Sequence, residues 1–179
     1  MKKLRMILPL ILILCFMVGC QDKEVRAELE EFRAQAEVED QNKEVVRCVY
    51  EAFNNANIEI LRDLAAPDFA YNFPSATTEP VSKEEWIENS KNIFAAFPDF
   101  HYEIQDITAK GDMVFIRSII KATHKGEWAG VSATGNKLEF SDIIIIRIKD
   151  GKMAEVWTEI DMLTVYQQLG MELKPKEVE

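Results

Sequence analysis

Residues 137–161 read KLEFSDIIIIRIKDGKMAEVWTEID and decide the fold class of this chain. The stretch has the period-two pattern that is typical of half-buried strands. The dipeptide Asp150-Gly151 divides it into two runs, Lys137–Lys149 and Lys152–Asp161, and Asp-Gly is a strong signal for a tight hairpin turn. The stretch therefore predicts a β-hairpin of two long antiparallel strands.

Two further strand-like runs precede this hairpin. They are His101–Thr108 and Met113–His124, and Gly111-Asp112 supplies the turn between them. The loop from Lys125 to Asn136 contains several glycines and is the longest connection between the predicted strands. The four runs together predict an antiparallel meander in the C-terminal half of the domain.

Helical patterns dominate the chain before the meander. Val45–Phe53 carries apolar residues at helical spacing, and the polar run Asn54–Asn57 breaks it. Ser82 is a good N-cap with Glu85 three residues later, a capping box that opens a helix through Phe97. The other predicted elements are a short helix Ile58–Ala65, a short strand Phe69–Phe73 and a last helix Met162–Leu169. This order indicates an α+β fold, in which a curved antiparallel sheet wraps around N-terminal helices.

The N-terminus of the sequence predicts export. Three basic residues lie within the first five positions, and the apolar run Met6–Val18 follows them. That run is too short to cross a hydrocarbon core, which needs about 20 apolar residues. A basic start, a short apolar run and small residues before a cut are typical of a removable signal peptide, here residues 1–19.

The stretch Met17–Cys20 resembles the lipobox of bacterial lipoproteins. The resemblance implies cleavage before Cys20 and lipidation of its thiol, and two or three acyl chains anchor a protein stably to a membrane. The alternative is an ordinary secretory signal or anchor in which Cys20 is incidental. The predicted location is extracytoplasmic, as a membrane-anchored lipoprotein.

The predicted mature chain has three parts. Residues 20–40 form a charged, partly helical stalk, which could instead dock on the domain or pair with another chain. Residues 41–170 form the compact domain, and residues 171–179 form a charged tail. The length fits one domain with a core of its own.

Charge and cysteine content narrow the classes of partner and chemistry. The chain carries a formal net charge of −10, which argues against nucleic acid or anionic lipid as a partner because both would be repelled. Cys15 leaves with the signal and Cys20 is taken by lipid, so that Cys48 has no partner for a disulfide within one mature chain. We interpret Cys48 as a buried packing residue on the apolar side of its helix, and less readily as a nucleophile.

Two polar side chains have positions that suggest chemistry. Alternation along Met113–His124 places His124 at the end of an apolar face, just before the long loop. Alternation along the last strand places Asp161 on one side with Trp157 and Glu159. A carboxyl group at a cavity wall has its pKa raised by desolvation and by like charge, which makes it a useful base near neutral pH.

Each of these residues has a simpler structural interpretation. Asp161 also fits the N-cap of the last helix, and His124 also fits a hydrogen-bonded histidine at a sheet edge. Asn72 either lines a pocket or makes a local turn. The sequence contains no phosphate-binding glycine loop, no Cys/His metal spacing and no nucleophile elbow. With His101 and His124 as its only histidines, it excludes a three-histidine metal site.

At the level of the whole domain, the sequence resembles the SnoaL-like polyketide cyclases and ester cyclases, within the larger fold group of nuclear transport factor 2. The resemblance covers nearly all of residues 41–170, in order. The matching stretches are 42–46, Tyr50-Glu51, 64–69, 94–99, 111–114, 123–130, 134–135, 150–157 and 161–170.

The resemblance implies a cone-shaped α+β barrel around a deep apolar pocket, and acid/base chemistry without a cofactor. An aspartate at the position of Asp161 would remove a proton next to a carbonyl group, and the carbanion would close a ring. His124 would hydrogen-bond the substrate or the developing oxyanion, and Asn72 would orient a carbonyl. The expected substrate-binding residues are Asn72, Tyr50, Trp128 and Trp157. Many relatives carry histidine at the positions of Asn72 and Val156.

Three functional hypotheses follow. The first is a membrane-tethered cyclase, isomerase or hydrolase that acts on a small apolar carbonyl compound through Asp161. The second is a non-catalytic lipoprotein that binds a hydrophobic small molecule in the same pocket. The third is a structural role in which the sheet face makes a homodimer. The fold alone does not choose among them.

Overall fold

The structure is a computed structural model that describes residues 2–74, 79–172 and 174, with side chains from residue 23 onward. Its contacts divide the chain into two units, residues 1–38 and residues 39–179. The side chains on which the signal peptide and the lipidation of Cys20 depend lie outside the described residues. Within the described part, no helix combines the length and the apolar character needed to cross a membrane.

Four helices and six strands make up the described chain. In order they are α1 (Lys2–Asn54), α2 (Ile58–Leu64), β1 (Ala65–Asn72), β2 (Val81–Ser82), α3 (Lys83–Ala96), β3 (His101–Lys110), β4 (Met113–Thr123), β5 (Lys137–Lys149), β6 (Lys152–Ile160) and α4 (Met162–Gln168). The predicted meander is confirmed as β3 to β6. The stretch predicted as a stalk, residues 20–40, is helical and lies within α1.

The strands form one curved, unclosed sheet in the order β2-β1-β6-β5-β4-β3. Neighbouring strands are antiparallel except β1 and β6, which run parallel. The predicted α+β class is confirmed, while the prediction of a wholly antiparallel sheet is wrong at this one pair. The exception arises because β6, the last strand of the meander, lies next to β1 from the start of the domain, and the two strands run in the same direction.

Local signals set the ends of the helices. The Ser82 hydroxyl accepts a hydrogen bond from the backbone N–H of Glu85 at 3.3 Å, which confirms the predicted N-cap of α3. At the end of α1, the Asn54 side chain accepts from the backbone N–H of Tyr102 at 2.7 Å and donates to the Tyr102 carbonyl at 3.1 Å. These two bonds join the end of α1 to β3.

The core of the second unit lies between the helices and the inner face of the sheet. Its main cluster contains Val46, Leu61, Ile116, Ile146 and Met153, each at most 2% exposed. A smaller cluster at the other side packs the end of α3 against α4 and the sheet. Such apolar burial supplies most of the driving force for folding.

One irregularity in β6 changes which side chains face the core. Arg147 pairs with Glu155 and Ile148 pairs with Met153, so that β6 has one extra residue, Ala154, in a β-bulge. Met153 and Ala154 are both buried as a result. After the bulge the inward positions are the even-numbered ones from Val156 to Ile160, and not the odd-numbered ones that simple alternation predicted.

The thiol of Cys48 lies on the exposed side of α1, and the prediction of a buried packing residue is wrong. Its neighbours Val46, Val49 and Tyr50 are buried. The apolar stripe of the helix therefore passes beside Cys48 without including it.

Candidate ligand pocket

A cavity of about 140 Å³ lies between the helices and the inner face of the sheet. Its walls are almost entirely apolar, and aromatic side chains form much of the lining: Tyr50, Phe53, Tyr71, Trp86, Phe97, Phe100, Tyr102, Trp128 and Phe140. A dry cavity of about 150 Å³ in another protein holds one benzene molecule. The cavity is therefore matched to a molecule with about one ring.

Three tyrosines and a threonine on the cavity wall form what we call the polar end, which we define by Tyr50, Tyr71, Tyr102 and Thr158. The rings of Tyr50 and Tyr102 are in contact, with centroids 4.7 Å apart. All four side chains line the cavity. They come from α1, β1, β3 and β6, so that only the folded sheet and helix bring them together.

Behind the polar end lies a buried carboxyl group, Asp142 of β5, which is 2% exposed. The Ser118 hydroxyl donates a hydrogen bond to Asp142 Oδ1, and the Tyr50 hydroxyl lies 3.4 Å from the Ser118 hydroxyl. Asp142 Oδ2 is buried and has no hydrogen-bond partner among the described residues. A buried carboxylate oxygen without a donor is costly when charged.

Burial raises the pKa of Asp142 to about 6, and the hydrogen bond from Ser118 opposes part of that rise. Burial likewise raises the pKa of Tyr71 to about 12 and that of Tyr50 further, with the charge of Asp142 adding to both. Because the acid titrates near physiological pH, it can be neutral or charged under ordinary conditions.

The sheet fixes this cluster through its register. Asp142 is paired with Ser118 across β4 and β5, and Ile144, two residues on, is paired with Thr158 across β5 and β6. Paired residues of neighbouring strands point to the same face. Asp142 therefore lies on the inner face, although it does not itself line the cavity.

Asp161, the predicted general base, does not line the cavity, and its pKa is shifted in the direction opposite to that expected. Its side chain is exposed and caps α4, accepting from the Thr164 backbone N–H at 3.1 Å and from the Thr164 hydroxyl at 2.7 Å. These hydrogen bonds hold the pKa of Asp161 below its usual value. The expected raised pKa at a cavity wall is wrong, because the β6 bulge turns this residue outward and the helix start takes its oxygens.

Trp157 and Asn72 also lie away from the cavity lining. Trp157 is half-buried on the outer face of the sheet, where the Arg147 guanidinium carbon lies 5.8 Å from its ring centroid. The Asn72 side chain is buried and donates to the Val156 carbonyl at 3.1 Å, between β1 and β6. Of the four residues expected at the pocket wall, Tyr50 and Trp128 line it.

His124 is fully buried at the end of β4, on the inner face as alternation indicates. The backbone N–H of Thr134 donates to its Nδ1 at 3.2 Å, so that the neutral ring carries its proton on Nε2. Nε2 has no hydrogen-bond partner among the described residues. The ring stacks on Phe97, with centroids 5.2 Å apart, and it is Phe97 that lines the cavity. A contact of His124 with substrate stays a prediction.

Asp142 and Ser118 were not among the predicted site residues, although the sequence contains a signal for both: each is a polar residue in an otherwise apolar face of its strand. Alternation along β5 places Asp142 between Phe140 and Ile144 on a face that is otherwise apolar, and Ser118 interrupts the apolar face of β4 in the same way. A polar residue in an apolar stripe is informative because burial of such a group is costly. Among the described side chains, no group of His, Cys, Asp or Glu is placed to hold a metal ion.

Comparison with known proteins identifies the family. The family model of the SnoaL-like polyketide cyclases matches residues 43–169. IdmH from Streptomyces antibioticus, a candidate polyketide cyclase, is 33% identical, with a TM-score of 0.64 over 73% of this chain and 99% of IdmH. A search of curated protein sequences found no match.

Two more solved structures share the fold. AclR from Streptomyces galilaeus, a candidate hydroxylase, is 27% identical, with a TM-score of 0.67 over 73% of this chain and 96% of AclR. A candidate SnoaL-like polyketide cyclase from a Jannaschia species is 21% identical, with a TM-score of 0.67 over 76% of this chain and 96% of that protein, a likeness of fold alone. Because the family model matches residues 43–169, which is most of the chain, this chain belongs to the SnoaL-like polyketide cyclase family.

Proposed function

We propose that this protein is a membrane-tethered domain that binds a small, mostly apolar carbonyl compound in its pocket. The observation that carries the proposal is the aromatic cavity between Tyr50 and Trp128, with polar side chains only at a few places on its wall. Apolar walls with a few convergent polar groups are typical of small-molecule sites.

Cavity size restricts the ligand class. A volume of about 140 Å³ suits a one-ring compound and is well below the roughly 300 to 1,000 Å³ of pockets for drug-sized ligands. We therefore favour a monocyclic ligand over one with several fused rings.

The predicted membrane tether rests on the sequence of residues 1–20. The wild-type protein is expected in the membrane fraction and labelled by radioactive palmitate. Cys20→Ser is expected to lose the label and to leave the membrane fraction. Retention of both would remove the tether from the proposal.

Ligand binding is tested by filling the cavity. Ala122 lines the pocket and is 6% exposed, so that Ala122→Trp should abolish binding of isopropylbenzene measured by calorimetry. Ile143→Trp places the same side chain on the opposite face of the sheet, where Ile143 is 58% exposed, and should bind like wild type. Thermal unfolding of both variants checks that they are folded. Equal binding by a folded Ala122→Trp would refute the pocket as the site.

A second candidate function is enzymatic, and membership of a cyclase family favours it. The chemistry would be removal of a proton next to a carbonyl group without a cofactor. The acid/base group would be Asp142 behind the polar end instead of Asp161, connected to the cavity through Ser118 and Tyr50. Exchange of the methyl protons of acetophenone for deuterium, followed by NMR, measures this step. Catalysed exchange that survives Asp161→Asn and is lost in Asp142→Asn is expected; the same rate as buffer alone would leave binding as the function.

A further inference from the structure

Three hydroxyl or carboxyl groups behind the cavity form one hydrogen-bond chain, from Tyr50 through Ser118 to Asp142. Each hydroxyl has a single proton to donate. Each hydroxyl can therefore donate to only one neighbour in the chain, and the protonation of Asp142 decides in which direction the hydrogen bonds run.

The two directions present different groups to the cavity. With Asp142 ionised, Ser118 donates to Asp142 and Tyr50 donates to Ser118, so that the Tyr50 oxygen offers a lone pair to a ligand. With Asp142 neutral, its Oδ1–H donates to Ser118 and Ser118 donates to the Tyr50 oxygen. The Tyr50 proton is then available to a ligand in the cavity.

We propose that Tyr50 contacts one oxygen of the ligand, and that Ser118 and Asp142 behind it decide whether Tyr50 donates to a carbonyl or accepts from a hydroxyl. Tyr50 lines the cavity and is the ligand-contacting residue. Ser118 and Asp142 are positioning residues, since neither lines the cavity. This inference rests on the proposed function and specifies its ligand: at lower pH, where Asp142 is neutral, the pocket should prefer a one-ring ketone.

Geometry explains why the proton would sit on Oδ1. Ser118 gives Oδ1 a partner, whereas Oδ2 is buried without one among the described residues. A neutral carboxyl group with its hydroxyl on Oδ1 places the Asp142 and Ser118 protons in hydrogen bonds and leaves only the Tyr50 proton, at the cavity wall, for a ligand. A proton on Oδ2 would be a buried donor without an acceptor, which costs free energy.

Between pH 5 and pH 8, Asp142 is the group of this cluster whose charge changes, because the groups around it stay neutral. Burial raises the pKa of Tyr50, Tyr71 and Tyr102 above their usual values, so that all three tyrosines stay neutral in this range. The residues paired with Asp142 in the neighbouring strands, Ser118 of β4 and Ile160 of β6, are uncharged. The other polar residues of the cavity wall are uncharged as well: Asn89, Ser90 and Thr158. Since burial raises the pKa of Asp142 to about 6, the switch should fall near that pH.

Three one-ring probes of similar size test the proposal by calorimetry at pH 5 and pH 8: acetophenone, 1-phenylethanol and isopropylbenzene. Acetophenone should bind about three- to tenfold more tightly at pH 5 than at pH 8, the worth of one hydrogen bond. Isopropylbenzene should bind equally at both pH values because it has no oxygen. At pH 6.5, acetophenone binding should take up protons, seen as a dependence of the binding heat on the buffer.

Variants separate the roles of the three residues. Tyr50→Phe should reduce acetophenone affinity at pH 5 to that of isopropylbenzene. In Asp142→Asn the amide can donate to Ser118 at every pH, so that acetophenone should bind as tightly at pH 8 as at pH 5 without proton uptake. Asp161→Asn is the matched control with an exposed carboxyl group, and should keep the wild-type dependence on pH.

The outcomes are distinct for the two proposals. This inference is overturned if isopropylbenzene binds and acetophenone has the same affinity at pH 5 and pH 8. That result would leave the proposed pocket function standing. A dependence on pH that survives Asp142→Asn overturns this inference as well. Failure of all three probes to bind counts against the proposed function itself.

Discussion

Ser118 and Asp142 face each other across β4 and β5, and the Ser118 hydroxyl donates to Oδ1 of a carboxyl group whose other oxygen is buried without a partner among the described residues. This pair places a titrating acid inside an apolar fold. Its consequences for stability can be measured without knowing the ligand.

The first prediction concerns stability and pH. Burial raises the pKa of Asp142 to about 6 in the folded protein, whereas an Asp in the unfolded chain has a pKa of about 3.9. As the pH rises, the unfolded state therefore releases the Asp142 proton at a lower pH than the folded state. The contribution of Asp142 to stability is fully present below about pH 4 and is lost as pH rises through about 6. Between pH 4 and pH 8 it should fall by about 2 kcal/mol.

Urea unfolding of wild type and Asp142→Asn at pH 4, 6 and 8 measures this effect. The difference between the two free energies of unfolding isolates Asp142, because the other carboxyl groups titrate in both proteins. Asp63→Asn, at an exposed position, should leave the wild-type profile unchanged. A difference that does not vary with pH would show that Asp142 titrates normally.

The second prediction concerns Asp161 as a helix cap. Asp161→Ala removes the acceptor for the Thr164 N–H and hydroxyl, so that Tm should fall, whereas Asp161→Asn keeps a good N-cap and should change Tm little. Both variants should bind isopropylbenzene like wild type. Loss of ligand affinity in a folded Asp161→Asn would instead return this residue to the site.

The third prediction concerns the contact between the β4–β5 loop and α3. The backbone N–H groups of Lys125 and Gly126 donate to the Ala96 carbonyl at 2.8 and 3.0 Å. A Cβ on Gly126 would lie 2.6 Å from the Ala95 carbonyl oxygen and 2.9 Å from the Ala96 Cα, so that backbone must move. Gly126→Ala should destabilise the protein by about 1–3 kcal/mol.

Thermal or urea unfolding checks this value. Lys125→Ala is the control, since it keeps its backbone donor and its side chain is exposed. Equal stability of Gly126→Ala and wild type would mean that the loop can separate from α3 at no cost.

The fourth prediction concerns the thiol of Cys48. Because Cys48 is exposed on α1, a folded protein carrying Cys20→Ser and lacking residues 1–19 should react with Ellman's reagent as fast as the same protein in urea. Cys48→Ser should remove the signal and leave Tm unchanged. Reaction only after unfolding would restore the buried position that the sequence suggested.

Much of the fold could be predicted because its signals are local. The N-cap at Ser82, the Asp150-Gly151 turn and the apolar alternation of β4 each depend on residues close in sequence, and the structure contains all three. The parallel pairing of β1 with β6 could not be predicted in this way. It joins segments more than eighty residues apart, and neither strand carries a signal for its partner.

The candidate site was harder to predict because a single residue changes the face of a strand. Alternation placed Trp157 and Asp161 on one side of the strand, and the family resemblance implied that this side faces the pocket. The extra residue Ala154 in β6 moves every position after it to the opposite face. The true inward carboxyl group, Asp142, lies on a strand without such a shift between β4 and β5. There, the alternation rule holds along the whole strand.

The sequence by itself determined the fold class, the order of the four helices and of all strands but β2, and the family, because periodicity, caps and turns are local and a family motif is linear. Only the tertiary structure decided which acid is buried and which is solvated. That choice depends on the desolvation of Asp142 beside Ser118 and on the capping of α4 by Asp161, and burial is a property of the packed sheet and not of any stretch of chain.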